Sequence, residues 1–130
     1  MVGIVVVSHS AKIAEGICEL AAQMAAPGQK LIAAGGMNDG DTGTDAFKIQ
    51  AAIEAANTGD GVLVMVDLGS AVLSAELAVD MLDDEIKGRV TIADAPILEG
   101  TVAATVDASI GQSLVSVVAA AEGARELRKR

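Results

Sequence analysis

Apolar positions recur along this chain on two scales: short unbroken runs, and longer stretches with an apolar residue every third or fourth position. The runs at residues 2–7, 30–34, 62–66 and 89–93 are rich in Val, Ile, Leu and Ala and too short for helices. They read as strands buried on both faces. Between them the period is helical. Ile13, Ile17, Leu20 and Met24 form one stripe, ended by Pro27-Gly28. Ala46, Ile49, Ile53 and Ala56 form a second, with Thr44 or Asp45 as its N-cap. Val72, Ala75, Val79 and Leu82 form a third, closed by an acidic turn at Asp83-Asp84-Glu85. Val106, Ile110, Leu114, Val117 and Ala121 predict one long final helix, whose basic tail suits a helix C-terminus.

Strand and helix thus alternate without interruption as βαβαβαβα. That pattern implies an α/β fold: a three-layer α/β/α sandwich around a central, mainly parallel four-stranded sheet, in the flavodoxin-like order 2-1-3-4. With no internal repeat and no linker, residues 1–130 are expected to form a single domain. In such a sheet the carboxyl ends of all strands share one edge, where open α/β sheets bind ligands. Ser8-His9-Ser10, the loop at residues 35–43, Asp67-Leu68-Gly69-Ser70 and Asp94-Ala95-Pro96 gather there.

His9 is the only histidine of the chain, and it stands at the exit of the first strand. Asp67 ends the third. In the order 2-1-3-4 these strands are neighbours, roughly 5 Å apart. An aspartate accepting the imidazole Nδ1–H fixes the tautomer and leaves Nε2 as a nucleophile. Two helix starts, at Ser10 and at Gly69-Ser70, offer free N–H groups and dipoles that favour an anion beside it. The glycine loop offers more amides. No Lys or Arg lies within these motifs, Lys12 being the nearest in sequence, so backbone amides would hold a phosphoryl group. The chemistry this suggests is a phosphohistidine carrier. Plainer readings exist: His9 as an ordinary strand-end histidine, Asp67 as a helix N-cap, and the loop as a flexible crossover.

Composition narrows the field. Aromatics are 1% of the chain, Phe47 alone, against 52% hydrophobic residues. The core must be aliphatic, and stacking on a base or a flavin ring has almost no side chain to use. A net charge of −9 disfavours nucleic acid and anionic membrane surfaces, and suits a basic protein partner. No apolar run is long enough to span a bilayer, no basic leader precedes the first strand, and a cytoplasmic location is expected. One cysteine, Cys18, excludes an internal disulfide and reads as core packing, and one Cys with one His argues against a structural zinc. No metal and no cofactor is expected. The loop is not a Walker A, lacking the Gly-Lys-Ser/Thr order. A hydrolase triad of Ser70, His9 and Asp67 lacks the G-x-S-x-G elbow. A receiver domain would want an acidic pair where Ser8 and His9 stand.

Taken together, VVVSHSAKIAEGI, GGMNDGDTGTD and VMVDLGSAVLSAELA resemble the mannose-type enzyme IIA family, and within it the DhaM phosphoryl-donor subunits of phosphotransferase-system-dependent dihydroxyacetone kinases. The resemblance covers essentially the whole chain. It implies that phosphoenolpyruvate feeds enzyme I, then the carrier HPr, then the histidine matching His9. The phosphoryl group would pass to ADP on a DhaL subunit, which phosphorylates dihydroxyacetone held by DhaK. It also implies a homodimer, and dependence on a separate HPr, since residues 1–130 carry no such module. By match, Asp67 orients His9. Ser10, Gly69 and Ser70 neighbour the phosphoryl group, and Gly36, Thr42, Gly43 and Thr44 belong to the site or to the DhaL contact. The alternatives are an enzyme IIA of a mannose-type sugar transporter and a regulatory module switched by His9 phosphorylation.

Overall fold

The structure, a computed structural model, describes residues 1–130. Its elements are β1 (Gly3–Val7), α1 (Ala11–Ala22), β2 (Leu31–Ala33), α2 (Ala46–Ala56), β3 (Val62–Val66), α3 (Gly69–Asp80), α4 (Asp84–Lys87), β4 (Val90–Ile92), α5 (Ile97–Ser109) and α6 (Leu114–Gly123). The strands form one parallel sheet in the order β2-β1-β3-β4, as the alternation requires. β1 and β3 lie at its centre and are buried throughout. Alternate side chains feed two separate cores. Val5, Val7, Val62, Val64 and Val66 pack under α2 and α3. Val2, Ile4, Val6, Leu63 and Met65 pack under α1, α5 and α6.

The register of the central pair sets the geometry of the carboxyl edge. Val7 stands opposite Val66. One residue further along both strands, Ser8 therefore faces Asp67, and His9 lies just beyond, where the chain turns into α1.

The helices differ from the periodicity in two instructive ways. In α1 the buried face is Ala14, Ile17 and Ala21, while Ile13, Leu20 and Met24 of the apolar stripe are 51%, 41% and 41% exposed. In α3 the buried line is Ala71, Ala75 and Ala78, with Val72 and Val79 half-buried beside it. Small residues win the inner face because they let a helix lie close to the sheet. At Gly35, for instance, a Cβ would sit 2.8 Å from the Ala14 methyl and 2.7 Å from the Ser10 carbonyl oxygen. The second difference is that the final helix is two. Gly111, at φ +81°, ends the α5 segment in a conformation that glycine tolerates, and Ser113 caps α6 by accepting the Ser116 N–H at 3.2 Å. Val106 and Ile110 consequently face solvent, whereas Val117 and Ala121 are buried. The basic tail follows as a single 3-10 turn, Ala124–Glu126, and an extended end.

Candidate functional site

The carboxyl edge of the sheet gathers the predicted residues around one carboxylate. Asp67 accepts four hydrogen bonds. The His9 imidazole Nδ1 lies 2.9 Å from Oδ1, and the His9 backbone N–H donates to Oδ2 at 3.0 Å. The Ser8 hydroxyl donates to Oδ2 at 2.8 Å, and the Leu68 N–H to Oδ1 at 2.8 Å. Burial pushes the Asp67 carboxyl up, but the donors from His9, Ser8 and Leu68 outweigh it and hold it below the usual aspartate range. An ionised acceptor on Nδ1 makes that nitrogen the protonated one and leaves the lone pair on Nε2. Nε2 points outward, and the Ser70 Oγ meets it at 2.5 Å. The His9 side chain keeps 28% of its surface exposed, against 15% for Asp67. Nε2 is thus held on a rigid support and still reachable.

Ser8 is the site residue that motif reasoning leaves without a role. Its side chain is fully buried and its oxygen does two jobs, donating to Asp67 and accepting the Ser10 N–H at 3.1 Å. A buried hydroxyl must find partners. The signal is available in the strand register, which puts Ser8, not His9, directly across from Asp67.

The two helix starts beside His9 are not alike. Ser10 is the N-cap of α1, and its Oγ accepts the Ile13 N–H at 3.3 Å. Its oxygen is engaged in the cap and not aimed at the imidazole. At α3 the cap position is held by Leu68, which makes no side-chain hydrogen bond, so the N–H groups of Gly69 and Ser70 find no acceptor within the chain. Asp67 is not the cap residue of α3 either; it takes only the Leu68 N–H.

The glycine loop is wired inward. Gly36 donates its N–H to the Ser8 carbonyl at 3.1 Å, and Gly43 donates to the His9 carbonyl at 2.8 Å. At φ +70° and +136° these two positions suit glycine alone. Their amides therefore hold the backbone of the Ser8-His9 turn in place and are not free for an anion. Thr44 Oγ1 pairs with Ser74 Oγ at 2.6 Å, tying the loop to α3, and Asp45, not Thr44, caps α2 through the Phe47 and Lys48 N–H groups. Lys48 Nζ donates to the Gly35 carbonyl at 2.8 Å. Thr42 is exposed. No Lys or Arg side chain hydrogen-bonds to His9, Asp67 or Ser70. Cys18 stands apart, its thiol pushed up to about 11 by burial, which removes it as a nucleophile at neutral pH.

The family model described as EIIA-man, PTS system fructose IIA component, matches residues 3–118. The chain belongs to the EIIA-man family. This EIIA-man chain is 46% identical over 132 residues to the PEP-dependent dihydroxyacetone kinase phosphoryl donor subunit DhaM of Klebsiella michiganensis, an overlap of 99% of this chain and 28% of that protein. It thus spans little more than a quarter of that relative. A Listeria innocua protein, PEP-dependent dihydroxyacetone kinase 2 phosphoryl donor subunit DhaM, is 38% identical over 118 residues, covering 91% of this chain and 94% of its own length. Among solved structures, that of EF1359, described as a protein of unknown function, superimposes with a TM-score of 0.84 at 38% identity, covering 94% of this chain and 93% of its own.

A cleft of about 420 Å³ opens beside the His9–Asp67–Ser70 cluster, between the ends of β3 and β4 and the first turns of α3. Asp67 and Gly69 form its near wall, and Val72, Glu76, Ile92 and Asp94 line the rest. Neither His9 nor Ser70 lines it. No helix of the chain is long and apolar enough to cross a membrane.

Proposed function

We propose that residues 1–130 are a single phosphocarrier domain that takes a phosphoryl group onto His9 Nε2 from HPr and passes it to ADP bound on a DhaL subunit. The observation that carries this reading is the Asp67 carboxylate on His9 Nδ1, with Nε2 facing outward. The Nε2 lone pair attacks phosphorus, an Nε2–P bond forms, and the bond to the donor's ring nitrogen breaks. The imidazole gains positive charge as it does so, and Asp67 balances it through Nδ1–H. Ser70 Oγ turns off Nε2 to admit the phosphorus. Its hydroxyl and the open Gly69 and Ser70 N–H groups then donate to the phosphoryl oxygens at a helix N-terminus. In the second step a β-phosphate oxygen of ADP displaces Nε2, giving ATP and the original neutral imidazole.

Amides and a hydroxyl without a guanidinium clamp bind the phosphoryl group loosely enough to release it, as a reversible carrier requires. The relatives named as DhaM donor subunits support dihydroxyacetone kinase as the destination, with DhaK holding the substrate. We further propose a homodimer in the cytoplasm, as the resemblance of the motifs to the family implies. A sugar-transport enzyme IIA role is the second reading, favoured by the description of the family itself.

The test is incubation with phosphoenolpyruvate, enzyme I and HPr, followed by intact mass of wild type and His9→Ala. One acid-labile phosphoryl group in wild type alone is the expected result. Its absence from wild type overturns the reading. Adding DhaL with ADP is then expected to discharge it. Discharge only by the next component of a sugar permease would favour the second reading.

A further inference from the structure

The same edge holds a second arrangement. Asp67 Oδ1 lies 2.9 Å from His9 Nδ1, and His9 Nε2 lies 2.5 Å from Ser70 Oγ. Carboxylate, imidazole and hydroxyl stand in the hydrogen-bonded order that activates a serine: the ionised acid fixes the tautomer, and the free ring nitrogen is placed to take the hydroxyl proton. The absent G-x-S-x-G elbow is one way of presenting a serine, but geometry and not motif defines the relay. Here the first turn of α3 presents it. Ser70 is solvent-exposed, and neither its own N–H nor that of Gly69 has an acceptor in the chain. They are positioned as an oxyanion site for a carbonyl attacked by Oγ. The cleft against Gly69 has Val72, Ile92 and Ala95 among its lining residues, giving room and apolar surface for a small acyl or leaving group.

We propose that Ser70 is a second nucleophile of this edge, and that the chain with His9 unmodified transfers acyl groups from small activated carboxylic esters. Ser70 Oγ forms a bond to the ester carbonyl carbon as its proton moves to His9 Nε2. The tetrahedral oxyanion, held by the Gly69 and Ser70 N–H groups, collapses and breaks the bond to the leaving alkoxide or aryl oxide, which takes the proton from Nε2. Water then attacks the acyl-Ser70 carbonyl, gives a proton to Nε2, and the carboxylic acid leaves as Ser70 Oγ recovers that proton. No oxidant, metal or cofactor enters the balance. The activity rests on the relay geometry and not on phosphoryl transfer, so either can fail alone. The two compete for Nε2, and a phosphoryl group on that nitrogen removes the base.

The test uses p-nitrophenyl acetate with wild type, Ser70→Ala and His9→Gln, acid-quenched for intact mass and peptide mapping. The expected result is one acetyl group on Ser70, with p-nitrophenolate release from wild type about a hundredfold faster than from either variant, the low end of what a positioned base contributes. An acetyl group on His9, or equal release from Ser70→Ala, would show the imidazole acting alone and overturn the proposal. A measurement on wild type needs no variant to fold. A small fluorophosphonate, which loses fluoride to an activated serine, is expected to label Ser70, and an unlabelled Ser70 overturns the proposal equally.

Discussion

Two helices begin on either side of His9, and the chain caps their N-termini differently. At α1, Ser10 folds its hydroxyl back onto the Ile13 N–H, while the Ala11 and Lys12 N–H groups find no acceptor in the chain. At α3, Leu68 stands at the cap with an extended backbone and no side-chain hydrogen bond, and the Gly69 and Ser70 N–H groups stay open. A missing polar cap costs about 1 kcal/mol of helix stability. Of these two helices the chain accepts that cost at α3, whose second residue, Ser70, touches Nε2, as it also does away from the site at α4 and α5. Two helix starts in similar positions thus differ at the third amide, which a serine hydroxyl takes at α1 and the Leu68 carbonyl takes at α3.

The largest break in this comparison is at the residue that joins its halves. Asp67 bonds His9 Nδ1 and also takes the N–H of Leu68, the residue at the α3 cap position. Asp67→Ala is expected to slow phosphoryl transfer about 10²-fold, in line with the loss of a partner that orients a reactive imidazole. Stopped-flow discharge of the phosphorylated chain would measure it, and an unchanged rate would reduce Asp67 to a structural role. A smaller effect isolates the open terminus itself. Gly69 is the first residue of α3, where proline is tolerated because its N–H has no helical acceptor. Leu68, at φ −128° and ψ 168°, already has the extended conformation that precedes a proline. Gly69→Pro therefore deletes one open donor and keeps the helix. Transfer is expected to slow about tenfold, the worth of one hydrogen bond to a charged group, with the melting temperature nearly unchanged. Equal rates in Gly69→Pro and wild type would remove that amide from the site.

What is legible in the sequence divides along the same line. The sheet order, the His9–Asp67 pairing and the edge that holds them are legible, because period and connection rules act on every strand alike. The different fates of the two termini are not. Serine before a helix is both a cap and a phosphoryl neighbour on paper, and only the Ser10–Ile13 hydrogen bond decides between them. The loop misleads for a similar reason. Gly36 and Gly43 read as free amides, yet a buried turn at Ser8-His9 leaves carbonyls that must be satisfied, and the nearest donors are theirs. The apolar stripe of α1 misleads on packing: hydropathy ranks Ile13 and Leu20 above Ala14 and Ala21, whereas the face against the sheet is made of Ala14, Ile17 and Ala21.

The smallest expected effect separates the termini by acid. Ser10→Ala removes a neutral hydrogen bond, and its cost of about 1 kcal/mol is expected to stay constant across the acid range. Asp67 behaves otherwise. Burial raises its pKa, but its hydrogen bonds from His9, Ser8 and Leu68 prevail and place it below the ordinary aspartate value of 3.8. With the folded pKa under the unfolded one, the folded chain binds the proton less readily. The stability this contributes is complete above the unfolded value and is lost as pH falls through the folded one. Asp60, held low by its hydrogen bond to the Met1 ammonium, and Glu99, held low by Lys129, titrate in the same direction. They do so in every variant, so the informative quantity is a difference between variants. In thermal melts from neutral pH into acid, the gap between wild type and Asp67→Asn is expected to shrink below about pH 4, while the gap to Ser10→Ala stays level. A gap for Asp67→Asn that ignores pH would mean that the donors around Asp67 hold an oxygen and not a charge. An imidazolium at His9 would then lack its counter-charge, because the open end of α3 is the positive end of a helix dipole.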